Sequence, residues 1–164
     1  MTSLLLDRPE LDLDDVLLEE AAADLLVWES LTAGGRCTWV EAGRMTALVG
    51  VDPGFTYLIL NRDPAADPAQ RFFQCTGGGP KVGGRLLAEI GCGNDVAIVA
   101  PWDAAVGRRV EATAAEPWEH STADECVLLP REAVMPVAID WLVRGALSPK
   151  YQLRPVKGYP MPAV

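Results

Sequence analysis

Four cysteines, one histidine, a few adjacent carboxylates and one glycine-rich stretch are the residues of this 164-residue chain whose types suit chemistry. Cys37, Cys75, Cys92 and Cys126 stand far apart with no C-x-x-C pair, and His120 is the sole histidine. A zinc site draws on close Cys or His pairs, so the spacing implies no metal, and the cysteines read as small buried hydrophobes. A thiolate nucleophile would need His120 to act on Cys126 or Cys75, and no neighbour in sequence lowers either thiol's pKa. The run Thr76-Gly77-Gly78-Gly79-Pro80-Lys81-Val82-Gly83-Gly84-Arg85 could cradle a phosphate, with Lys81 and Arg85 as counter-charges. It lacks the Gly-Lys-Ser/Thr spacing of a P-loop and the G-x-G-x-x-G of a dinucleotide site, and Pro80 removes a donor. A surface loop is the simpler reading. Glu19-Glu20 and Asp124-Glu125 are sequence neighbours, so in regular structure they point apart and make no acid–base pair. These residues imply no catalytic group and no cofactor.

Charge says more. Twenty-three acids against fourteen bases leave a net charge of −9. Residues 1–30 hold nine acids against Arg8 alone, and Glu111 to Glu125 contains Glu116, Glu119, Asp124 and Glu125 without a Lys or Arg. The tail reverses the sign, with Lys150, Arg154 and Lys157 and no acid after Asp140. Such a field repels nucleic acid and anionic membranes and attracts basic proteins. An acidic surface kept for solubility is the plainer alternative. The candidate partner-facing patch is Glu116, Trp118, Glu119, Asp124 and Glu125. Trp118 lies between two glutamates and beside Pro117, which suits an aromatic anchor on a loop; a core tryptophan beside solvated acids has the same local sequence.

These residues need a scaffold, and the chain is of single-domain size, residues 1–164, with 1–13 and 156–164 expected as flexible ends. No apolar run approaches the ~20 residues of a membrane span. The start, Met1-Thr2-Ser3-Leu4-Leu5-Leu6-Asp7, has no basic n-region, so a cytoplasmic protein is expected.

The pattern predicts an α+β fold, a largely antiparallel sheet with an N-terminal helix and a C-terminal helix packed on it. Asp14 or Asp15 can cap a helix toward Glu29, its stripe Val16, Leu17, Ala21, Asp24, Leu25 and Trp28 stopped by Thr32-Ala33-Gly34-Gly35. Three strands are expected at Arg36–Glu41, Arg44–Val51 and Phe55–Asn61, with turns at Ala42-Gly43 and Asp52-Pro53-Gly54. Further strands are read at Arg71–Thr76, Val96–Pro101 and Glu125–Leu129. The clearest element is the C-terminal helix: Val134, Val137, Ala138, Trp141 and Leu142 follow i, i+3, i+4, i+7, i+8, and Gly145 supplies the stop. Pro136 fits only if the helix starts near Glu132; a start at Pro130 requires a kink.

The order of a strand into Leu128-Leu129-Pro130, this helix with Trp141 near its end, Gly145, Pro149 and a closing strand Tyr151–Pro155 resembles the C-terminal signature of family 1 immunity proteins. The preceding glycine-rich Thr76–Gly84 and the Asp124-Glu125 pair ahead of a strand are similar too. The matching positions are Pro130, Ala138, Trp141, Leu142, Gly145 and Pro149, over about 30 residues. The resemblance implies a non-enzymatic bacterial α+β domain that binds one cognate toxin, of nuclease or deaminase type, and blocks its active site. Toxins that hold nucleic acid have basic grooves, which an acidic inhibitor can fill with carboxylates. An acidic binding or scaffold module for another basic partner is the second reading, and a small enzyme built on the glycine loop the third.

Overall fold

A computed structural model describes residues 26–62, 67–77, 84–101, 109–111, 122–124, 128–156 and 158–163. In chain order the elements are β1 (Leu26–Glu29), β2 (Gly34–Cys37), α1 (Trp39–Leu48), β3 (Tyr57–Arg62), β4 (Arg71–Gly77), β5 (Leu86–Cys92) and β6 (Asp95–Pro101). There follow β7 (Arg109–Glu111), β8 (Thr122–Asp124), α2 (Arg131–Ile139), a π-helical turn at Asp140–Arg144, and β9 (Tyr151–Pro155). Seven strands form one sheet in the order β2-β1-β3-β4-β5-β6-β9, each pair antiparallel. β7 and β8 make a separate two-stranded ribbon. The fold is α+β, an antiparallel sheet with helices packed on it.

Two expectations about the first third of the chain are corrected. Residues 14–25 of the expected N-terminal helix lie outside the described residues, and its last turn, Leu26–Glu29, is strand β1. Val27 and Trp28 are strand-favouring types, and Gly34 lets β2 fold back so closely that an added Cβ would stand 3.0 Å from the Trp28 carbonyl oxygen. The strands expected at Arg36–Glu41 and Arg44–Val51 are instead the short β2 followed by α1. The cause is a capping box. The Glu41 N–H donates to the Thr38 hydroxyl at 3.2 Å, and the Thr38 N–H donates to the Glu41 carboxylate at 2.8 Å. Trp39, Ala42 and Thr46 are buried at i, i+3 and i+7, so Ala42-Gly43 is helix interior rather than a turn.

β3, β4, β6 and β9 fall where the sequence reading places them, within two residues at each end. Of the strand expected at Glu125–Leu129, residues 125–127 are outside the described residues, and Leu129 makes a single antiparallel bridge to Leu86.

Both helices cover one face of the sheet. Leu58, Leu60, Phe73, Cys75, Ala88, Ile90 and Val99 point into a core shared with Leu26, Trp39, Val134, Trp141 and Leu142. The C-terminal stripe Val134, Val137, Ala138, Trp141 and Leu142 is buried throughout. α2 starts at Arg131 with Pro130 as its N-cap, so Pro136 stands inside the helix, beyond the first turn. It leaves the Glu132 carbonyl without its helical donor. Four residues later the coil widens into the π turn.

Two arginines tie the helix ends to the rest of the fold. α1 carries no base in its last turn. Arg131, from the first turn of α2, donates to the carbonyls of Thr46 (3.0 Å), Ala47 (3.4 Å) and Gly84 (3.1 Å). It thus supplies the cation that the negative end of α1 favours. At the far end of α2, Arg71 donates to the Trp141 carbonyl at 3.2 Å while its Nε lies 3.0 Å from Asp67 Oδ2. Beyond β9, Val156 is buried and the Val96 N–H donates to the Pro160 carbonyl at 2.9 Å, so the last residues run along β6.

Candidate functional site

Of the five residues of the acidic patch, Asp124 lies among the described residues. Asp124 ends β8 opposite Arg109 of β7. Glu116, Trp118, Glu119 and Glu125 lie outside the described residues; in sequence the first three fall between the two ribbon strands. His120 and Cys126, and Gly78 to Gly83 of the glycine loop, are outside them as well.

The C-terminal unit is fully described and forms one block. Leu129 bridges to β5, Pro130 opens α2, and the Trp141 indole N–H donates to the Gly91 carbonyl at 3.1 Å. Gly145 closes the π turn in the left-handed region at φ 65°, where an added Cβ would strike the Arg71 guanidinium. Tyr151–Pro155 then pairs along β6 at the sheet edge. Lys150 stands 5.5 Å from the Tyr151 ring centre, a cation–π contact.

The sheet face away from the helices is the second candidate. Alternation sends Tyr57, Gln74, Thr76, Glu89 and Gln152 to that side, opposite the core-facing Cys75, Ala88 and Val99. Glu89 sits in the central part of this face, paired across to Gln74 on β4 and Ile98 on β6, and is 4% exposed. Burial pushes its carboxyl up to about 7. Sequence reasoning passed over β5 and with it Glu89; the signal was an acid inside the apolar run Leu86-Leu87-Ala88-Glu89-Ile90.

At one end of the same face is an open cleft of about 410 Å³, lined among the described residues by Val27, Asn61, Arg62, Gln70, Arg71, Phe72 and Gly93. Val27, Asn61, Phe72 and Gly91 form one row across β1, β3, β4 and β5. A Cβ at Gly91 would strike the Phe72 ring, so the ring lies directly over that glycine. Arg62 and Arg71 belong to the opposite alternation. Arg62 pairs across to buried Leu26, and the Arg71 guanidinium reaches Trp141 on the helix side.

The thiols among the described residues are poorly placed for nucleophilic work. Burial pushes Cys75 up to about 12, and burial with the nearby Glu41 charge pushes Cys37 up to about 11. The half-buried Cys92 thiol donates to the Ala69 carbonyl at 2.9 Å. Among the described residues no three His, Cys, Asp or Glu side chains gather as a metal site, and no helix is long and apolar enough to cross a membrane.

Compared with models of known protein families, with curated proteins and with solved structures, the chain matches none.

Proposed function

We propose that this chain is an immunity-type inhibitor that binds one basic bacterial toxin domain and covers its substrate groove, acting by occlusion without catalysis. The observation that carries the reading is the distribution of charge. A net −9 is concentrated in residues 1–30 and in the block from Glu111 to Glu125, which spans the β7–β8 connection. An inhibitor of a nuclease or deaminase needs such carboxylates, because the groove it must fill is built to hold phosphates. The capped block from Leu129 to Pro155 adds support, since it has the element order on which the immunity-protein resemblance rests.

The interface is proposed at Glu116, Trp118, Glu119, Asp124 and Glu125, with the acids steering the encounter and Trp118 as the anchor. The partner would be met in the cytoplasm of the producing cell. Co-expression in a bacterial host beside the C-terminal domain of the large secreted protein encoded immediately upstream tests the function. Restored growth together with a co-purifying complex is the expected result. Unrestored growth with no complex would overturn it.

A further inference from the structure

The cleft at the end of the sheet face away from the helices is built from parts that suit a small planar ligand. Its floor is the row Val27, Asn61 and Phe72, with the Phe72 ring seated over Gly91. A ring fixed in this way offers a stacking surface without paying side-chain ordering on binding. Asn61 stands directly across the β3–β4 ladder from that ring, so a carboxamide lies next to the stacking surface.

Gln70 adds a second, independent feature. Among the described residues it is the one non-glycine in the left-handed region, at φ 55°. Four hydrogen bonds enforce that conformation. Its N–H donates to the Asp67 carbonyl at 3.1 Å, its own carbonyl accepts the Gly93 N–H at 3.3 Å, and Asp67 accepts from the Ala69 and Arg71 N–H groups on either side. A glycine would sit there without strain, yet the position carries an exposed carboxamide at the rim of the cleft.

Charge decides the ligand class. The Arg71 guanidinium is engaged by the Asp67 carboxylate and the Trp141 carbonyl on the helix side. The whole molecule carries −9. Two carboxamides beside an aromatic ring, in a molecule of that net charge, favour a neutral heteroaromatic ligand over a phosphorylated one. Carboxamides match the adjacent donor and acceptor of an adenine edge, and about 410 Å³ falls in the range of small-molecule sites.

We propose that this cleft binds an uncharged purine nucleoside, adenine-bearing by preference, stacked on Phe72 and read by the carboxamides of Asn61 and Gln70. The site stands apart from the toxin-binding reading, which survives or fails on its own test.

Calorimetric titration of the full chain with adenosine, and separately with adenosine monophosphate, tests the proposal. Saturable adenosine binding is expected, weakened about tenfold or more by Asn61→Ala and by Phe72→Leu. Gln70→Gly relieves the left-handed strain while deleting the carboxamide, so it should weaken binding with no loss of thermal stability. That separates a lost contact from a damaged fold. The monophosphate should bind more weakly than adenosine. Absence of saturable adenosine binding at millimolar concentration overturns the proposal. So does tighter binding of the monophosphate, or binding that all three variants leave unchanged.

Discussion

Glu89 is a carboxyl held in the middle of a seven-stranded sheet, and its titration has a definite sign. Burial moves it from 4.5 to about 7, so between those values the folded chain holds a proton that the unfolded chain has released. Its contribution is therefore most favourable below about pH 4.5 and is lost as pH rises through about 7. At roughly 1.4 kcal/mol per pH unit, this loss is on the order of 3 kcal/mol. Glu89→Gln keeps the shape and removes the charge. It should stabilise the protein by up to about that amount at pH 8 and leave stability almost unchanged near pH 4.5, as read by urea unfolding at both values. Equal effects at the two pH values would contradict the burial account. Trp118 belongs to the same scale for binding. Trp118→Ala should cost about 2 kcal/mol or more of toxin affinity if it is the anchor, measured by calorimetry with the folded state checked by circular dichroism. A core tryptophan would instead lower the melting temperature.

Between elements, the arginine caps carry much of the order. Arg131 closes the end of α1 and holds Gly84, so Arg131→Ala leaves partly buried carbonyls without a donor. The expected loss is about 2–3 kcal/mol in denaturant unfolding. Gly145→Ala places a side chain at φ 65° and against Arg71, with an expected cost of about 1–2 kcal/mol or more and a lowered melting temperature. What could be read from sequence at this scale depended on how many signals agreed. The C-terminal helix was legible because Pro130 and Gly145 mark its ends and five apolar residues hold its face. β3, β4, β6 and β9 were legible from alternation or from bounding turns. β5 was not, because both its faces are buried and period-two contrast disappears. α1 was missed because ten residues with Ala42-Gly43 at the centre look like a turn between strands, although Thr38 and Glu41 spelled a capping box. The stripe ending at Trp28 also fitted helical spacing, and only pairing with β2 and β3 makes Leu26–Glu29 a strand. The cleft could not be read at all, since it joins residues from three strands and two turns.

At the scale of the whole molecule, charge and fold divide the work. The sheet carries the two helices on one face, while in the sequence acids gather in residues 1–30 and in the block from Glu111 to Glu125. Electrostatic capture predicts a rate that depends on ionic strength, because screening shortens from about 30 Å at 0.01 M salt to about 3 Å at 1 M. The dissociation rate, set by short-range packing at the anchor, should respond far less. The most direct measurement is stopped-flow association of the purified chain with the upstream-encoded toxin domain across that salt range. A 1:1 complex whose association slows by about tenfold or more, with toxin activity lost in proportion to complex formed, is the result expected of an acidic inhibitor. Absence of a complex at low salt, or a complex that leaves the toxin active, would contradict it.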